Sequence, residues 1–188
     1  VGKTVLLTRL RHDADGREWI TVQIEAGTGR SLREMVGEGL YGPLSDLARP
    51  SAGKSLLRAL KTALSFKASY DQTGSWSFGL DLSGESGGGA DSGVLETDLK
   101  KILKDVSLAA AEEGKGLALL IDEAQDLSTE DLTTLVAVSH AAAQDTWPVL
   151  FALTGLPSLP QTLSEAKSYS ERFRFVEVER LDSDSAAA

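Results

Sequence analysis

Short apolar runs alternate along the chain with longer stretches in which apolar residues recur every three or four positions. The short runs predict β-strands at residues 18–25, 116–121 and 149–154. The longer stretches predict α-helices at residues 4–10, 31–40, 55–66, 95–113, 128–139 and 159–166. This order predicts one α/β domain over residues 1–188, in which helices cover both faces of a parallel sheet.

Three further segments complete the prediction. Residues 66–70 and 76–82 predict a β-hairpin, and a glycine-rich loop follows, so residues 66–92 are interpreted as an insertion of hairpin and loop. Tyr-Gly-Pro at residues 41–43 predicts a break between two helical pieces. Residues 173–178 alternate between apolar and polar side chains and predict a last strand.

The run at residues 116–121 is apolar throughout, which predicts a strand buried on both faces. It is followed directly by Asp122 and Glu123, at the sheet edge where open parallel α/β sheets bind ligands. Two acids at the end of a buried strand need a partner, and a bound Mg²⁺-nucleotide would provide one. Asp122 would then hold the metal, and Glu123 would take a proton from the attacking water. The alternative is a solvated acidic turn.

The chain opens on Val1, Gly2, Lys3 and Thr4, which match the second half of the phosphate-binding pattern G-x-x-x-x-G-K-[ST]. In that pattern Lys3 would neutralise the β- and γ-phosphates, and the Thr4 hydroxyl would be a ligand of Mg²⁺. The preceding strand and the first glycine would lie before Val1. We therefore expect residues 1–188 by themselves to bind nucleotide poorly.

A similar sequence, A-G-K-S, occurs at residues 52–55 and also precedes a helix. Ala48 occupies the place of its first glycine, and Pro50 lies inside the would-be loop. We interpret this segment as an ordinary helix start with Ser51 as N-cap.

Composition narrows the possible functions. The 188 residues carry a net charge of −9, which argues against a nucleic-acid-binding surface. There is no cysteine for a disulfide or a thiolate metal site, and His12 and His140 are too few for a histidine zinc site. Because no apolar run has the length of a membrane span and no signal peptide is evident, we predict a cytoplasmic protein without membrane contact.

These residues resemble the AAA+ ATPases, in particular bacterial proteins related to initiator-type and signal-transduction ATPases. The resemblance covers most of the chain and rests on V-G-K-T, L-L-I-D-E-A-Q-D-L, F-A-L-T-G-L-P and Y-S-E-R-F. It implies a domain that binds and hydrolyses ATP with Mg²⁺, with Asp122 on the metal and Glu123 polarising the water. Thr154 falls at the family's polar sensor position near the γ-phosphate. Arg172 falls at the arginine finger that acts on a neighbouring subunit, which implies a homo-oligomer.

Relative to that family, the hairpin is an insertion, and the first strand and the C-terminal helical lid are missing. Two other functions stay open. A superfamily-1 helicase shares D-E-x-Q-D but should have G-D-x-x-Q after the next strand, where residues 155–158 read G-L-P-S. A non-hydrolysing nucleotide switch or scaffold would use the same binding residues, although the Asp-Glu pair favours hydrolysis. Gln125 and Asp126 are interpreted as turn and cap residues.

Overall fold

The described part of the chain contains six α-helices and three β-strands. The computed structural model describes residues 2–27, 29–49, 51–70, 78–80, 82–83, 88–166 and 173–178. The elements are, in chain order, α1 (Gly2–Asp15), β1 (Ile20–Glu25), α2 (Leu32–Leu47), α3 (Lys54–Ala68), α4 (Leu95–Glu112), β2 (Leu117–Asp122), a 3₁₀ turn (Ala124–Asp126), α5 (Thr129–Gln144), β3 (Val149–Leu153) and α6 (Leu159–Ala166). Of the described helices, none combines the length and apolar character needed to cross a membrane.

The three strands form one parallel sheet in the order β1-β2-β3. All six residues of the central strand β2 are buried, as its uninterrupted apolar run predicted. Glu25 pairs with Asp122, and Ile121 pairs with Leu153. The carboxyl ends of all three strands therefore lie along one edge, and the predicted α/β class with a parallel sheet is confirmed.

Side chains of β2 alternate between two cores on opposite faces of the sheet. Helices α2 to α6 contribute to the main core, together with the odd-numbered residues of β2. On the other face α1 packs against the sheet in a smaller core: Leu7, Ala14, Ala118 and Leu120. Helices thus cover both faces, and the packing of α1 on β1 and β2 fixes where α1 begins relative to the sheet edge.

A buried ion pair connects α2 with α4. Arg33 Nη1 lies 2.8 Å from Asp98 Oδ2, and the Asp98 side chain has no exposed surface. Ser92 donates its backbone N–H and its hydroxyl to the other carboxylate oxygen, at 3.0 and 2.7 Å. Arg33 also donates to Ser69 Oγ at 2.6 Å, next to the end of α3. This network connects Ser69, directly after α3, and Ser92, shortly before α4, to the ion pair between α2 and α4.

The predicted β-hairpin is wrong. Residues 66–68, the start of its first strand, are the last turn of α3. The buried stripe of α3 continues at helical spacing through Ala59, Ala63 and Phe66, so burial on the main core favours helix over strand. Residues 71–77 and 81 lie outside the described residues. The described parts of the second predicted strand, around Phe78 and Leu80, form no strand.

The predicted last strand is also wrong. Residues 173–178 are described but do not pair with the sheet. Phe173 packs against the main core, whereas the next five residues are exposed. Alternating apolar and polar residues predict a strand because a strand can bury its apolar face on a core. Residues 174–178 alternate in this way, but none of their side chains is buried.

Several helix bounds also differ from the sequence prediction, among them the end of α5, which lies at Gln144 and not at residue 139. The helix α2 continues through Pro43 because Leu40 and Leu44 on either side are completely buried in the main core. The helix α1 extends to Asp15, beyond the predicted end at residue 10. The helix α3 begins at Lys54 with Gly53 in place of Ser51 as N-cap, so the predicted helix start is confirmed but its cap is not.

Candidate functional site

The carboxyl edge of the sheet gathers the two acids and the threonine singled out by sequence. Asp122 ends β2 and is 6% exposed, Glu123 follows it, and Thr154 follows β3. The Thr154 N–H donates to Ile121 O at 2.8 Å, and the Ala124 N–H donates to Thr154 O at 2.8 Å. These two backbone hydrogen bonds hold the turns after β2 and β3 side by side.

Asp122 is kept ionised by neighbours from the start of α1 and from the turns after β2 and β3. Its Oδ1 accepts the Thr154 hydroxyl and, at 2.9 Å, the Glu123 N–H. Burial raises the pKa of Asp122 and is the largest single effect on it. Hydrogen bonds from Thr154, from Thr4 and from the Glu123 N–H, with the positive charge of Lys3, outweigh burial, so the pKa lies below the ordinary 3.8. Asp122 is therefore ionised at neutral pH.

The first turn of α1 brings Lys3 and Thr4 to this edge. α1 begins at Gly2 and carries no acid in its first turn. The first N–H groups of a helix have no acceptor within the helix, and the positive end of the helix dipole lies there. Lys3 is partly buried and Thr4 is exposed. A cation, a hydroxyl and N–H donors without an acceptor in their own helix thus lie beside an ionised carboxylate. Val1 lies outside the described residues.

Glu123 has a strained backbone and hydrogen-bond partners different from those of Asp122. Its φ of 50° and ψ of 41° place it in the left-handed region, which costs a non-glycine residue about 1–2 kcal/mol. Such strain is typical of functional sites. Its Oε2 accepts Gln125 Nε2 at 2.8 Å, whereas Asp122 is bonded to Thr154. The two adjacent acids are therefore held by separate partners.

Sequence reasoning missed Gln125. This side chain was interpreted as a turn residue, but it contacts Glu123 on one side and the loop after β3 on the other. The local signal was its place two residues after Glu123 in D-E-A-Q, which brings the amide within reach of the carboxylate. The contact between Gln125 and Leu156 could not be predicted from the sequence, because the two residues are 31 positions apart.

Of the remaining sequence candidates, one lies outside the described residues and the other begins a helix away from the site. Arg172 lies outside the described residues, so its predicted finger role stays a prediction. The second Gly-Lys-Ser begins α3, and the Ser55 hydroxyl donates to Glu112 at the end of α4. Because α4 ends just before β2 begins, this segment lies at the opposite edge of the sheet from Asp122. It is a helix start, as the sequence predicted.

Comparison with protein-family models, with curated proteins and with solved structures gives no match to this chain. Among the described residues, no group of three or more histidine, aspartate or glutamate side chains could hold a metal ion.

Proposed function

We propose that this chain is the nucleotide-binding core of an ATPase of the AAA+ type, which binds Mg²⁺-ATP at the carboxyl edge of its sheet and hydrolyses it. One observation carries the proposal. The first turn of α1, with Lys3 and Thr4, lies beside the ionised Asp122, although the two segments are far apart in the sequence. These are the residues that the two nucleotide motifs require to be together.

The start of α1 supplies what a triphosphate needs. N–H groups at a helix N-terminus that have no acceptor in the helix bind anions. The positive end of the helix dipole strengthens this binding. Lys3 adds a full positive charge next to them. This charge acts on Asp122 in the free protein and would act on the β- and γ-phosphates when nucleotide is bound.

Asp122 and Thr4 fit magnesium. Mg²⁺ prefers hard oxygen ligands and is usually held by one or two carboxylates together with substrate phosphates and water. Asp122 offers an ionised carboxylate, and Thr4 offers a hydroxyl oxygen beside it. When bound, Mg²⁺ neutralises the charge that develops on the phosphate oxygens. The hydroxyl of Thr154 would keep the Asp122 carboxylate oriented through the bond it already makes.

Glu123 is the proposed general base. It would accept a proton from the water that attacks the γ-phosphorus, while the bond from that phosphorus to the leaving oxygen of ADP breaks. Arg172 is proposed to act on the nucleotide of a neighbouring subunit, which would make the active form a homo-oligomer. In the AAA+ interpretation this nucleotide cycle drives a conformational change in a larger protein.

We expect the full-length protein to release phosphate from ATP only in the presence of Mg²⁺, because the Asp122 and Thr4 oxygens need the metal to engage the phosphates. Addition of EDTA should reduce the rate to background, and excess Mg²⁺ should restore it in the same sample. A continuous phosphate-release assay measures both. Release at an unchanged rate in EDTA would contradict the proposed metal site, and nucleotide binding without release would identify a non-hydrolysing switch.

A further inference from the structure

The side-chain amide of Gln125 bridges Glu123 and the loop that follows β3. Gln125 Nε2 donates to Glu123 Oε2 at 2.8 Å, and Gln125 Oε1 accepts the Leu156 N–H at 3.0 Å. The bridge joins residues that are close in space but separated by 31 positions in the sequence. The acid is thereby connected to a loop on the neighbouring strand.

Only one orientation of the amide satisfies both bonds. The amide nitrogen can only donate and the amide oxygen can only accept. A flipped amide would place its oxygen against the Glu123 carboxylate and its nitrogen against the Leu156 N–H. A carboxylate at position 125 could still accept from Leu156, but it could not donate to Glu123.

Gly155 leaves the amide little room to move. A Cβ at this position would lie 2.8 Å from Gln125 Oε1 and 2.7 Å from Leu159 Cδ2. The loop after β3 therefore packs directly on the amide. The same loop begins with Thr154, whose hydroxyl donates to Asp122. Both acids of the site are thus hydrogen-bonded, directly or through Gln125, to residues 154–156.

We infer that Gln125 is the positioning residue for Glu123, an inference that rests on the proposed hydrolysis. Its N–H holds Glu123 Oε2, so that the proton taken from water goes to the other carboxylate oxygen. Its Oε1 fixes this arrangement to the loop after β3. A displacement of that loop would therefore break the hydrogen bonds that orient both Glu123 and Asp122.

The test compares Gln125→Glu and Gln125→Ala with wild type in the full-length protein. Both variants lack the N–H that Gln125 donates to Glu123, and this loss should lower kcat about 10- to 100-fold. Misplacement of a reacting group lowers rates by about this factor. The Kd for Mg²⁺-ATP and the midpoint of thermal unfolding should stay unchanged. Gln161→Glu is the matched control, because Gln161 Nε2 donates to Glu165 at 2.9 Å on the exposed surface of α6. We expect its kcat to equal that of wild type.

A pH profile separates positioning from a structural role. When protonated, the introduced carboxyl of Gln125→Glu can donate to Glu123 as the amide does. Its pKa should lie above the ordinary value of about 4.3 because a second carboxylate is adjacent. The kcat of Gln125→Glu, relative to wild type, should therefore rise as the pH falls from about 8 to about 5. Gln125→Ala should show no such recovery.

Every other outcome contradicts either the role of Gln125 or the proposed function. If wild type hydrolyses ATP and Gln125→Glu does so equally fast, the inference is wrong and the proposed function stands. If the two variants are equally slow at every pH, or lose nucleotide binding or thermal stability, the inference is also wrong, because the side chain then acts structurally. If wild type binds no nucleotide or hydrolyses none, the proposed function fails, and the inference fails with it.

Discussion

Glu123→Gln should lower ATP turnover by the full-length protein about 10²–10⁴-fold, the range in which a general base contributes. Glutamine keeps the size of the side chain but cannot take a proton from water. Lys3, Thr4 and Asp122 are unchanged by the substitution, so the Kd for Mg²⁺-ATP should stay at the wild-type value. Phosphate release at saturating ATP and an equilibrium titration measure the two quantities separately.

The matched control is Glu130→Gln, the same substitution at an exposed residue in the first turn of α5. It should leave both turnover and nucleotide affinity at the wild-type level. Wild-type turnover in Glu123→Gln would contradict the assignment of the base. Loss of nucleotide binding in that variant would instead make Glu123 a binding residue.

Asp98→Asn should lower the free energy of unfolding by about 3–5 kcal/mol, the cost of removing one partner of a buried ion pair. The substitution leaves the Arg33 guanidinium, whose side chain is only 12% exposed, without its counter-charge. It also weakens the acceptor of both Ser92 bonds. Denaturant unfolding measures the loss. Asp145→Asn is the control, because the Lys104–Asp145 pair is about half exposed and contributes about 0–1 kcal/mol.

The loss should also depend on pH. Burial raises the pKa of Asp98, but bonds from Ser92 and Arg33 and the charge of Arg33 outweigh it, so the pKa lies below the ordinary 3.8. A carboxyl with a lowered pKa stabilises the fold above its ordinary pKa and loses that effect as the pH falls through the folded value. The stability difference between wild type and Asp98→Asn should therefore be constant near neutrality and shrink below about pH 4. A difference that does not change with pH would show that the charge is unimportant.

The sequence predicted those elements whose burial is visible in the pattern of their own residues. β2 was predictable because it is buried on both faces, and α4 and α6 were predictable because their apolar residues recur at helical spacing. The acids at the end of β2 were predictable for the same reason, since a buried strand that ends in two charges indicates a ligand edge. Lys3 and Thr4 were predicted as site residues because they match the end of a phosphate-binding motif.

The sequence did not predict what depends on distant partners. Residues 67 and 68 were assigned to the hairpin, whereas the packing of α3 against α2 and α4 extends the helix through them. Asp98 looks like any exposed acid of a first helical turn, because its partner Arg33 is 65 positions away. The role of Gln125 depends on Leu156 in the same way.

The most direct test of a single nucleotide site at the start of α1 and the end of β2 is a calorimetric titration of the full-length protein with Mg²⁺-ATP. Wild type should bind in the micromolar range. Lys3→Ala should raise the Kd about 10- to 100-fold, since a charged hydrogen bond contributes about 1.5–3 kcal/mol. Lys54→Ala, in the second Gly-Lys-Ser, should bind as tightly as wild type. Wild-type affinity in Lys3→Ala, or weakened binding in Lys54→Ala, would contradict this location of the site.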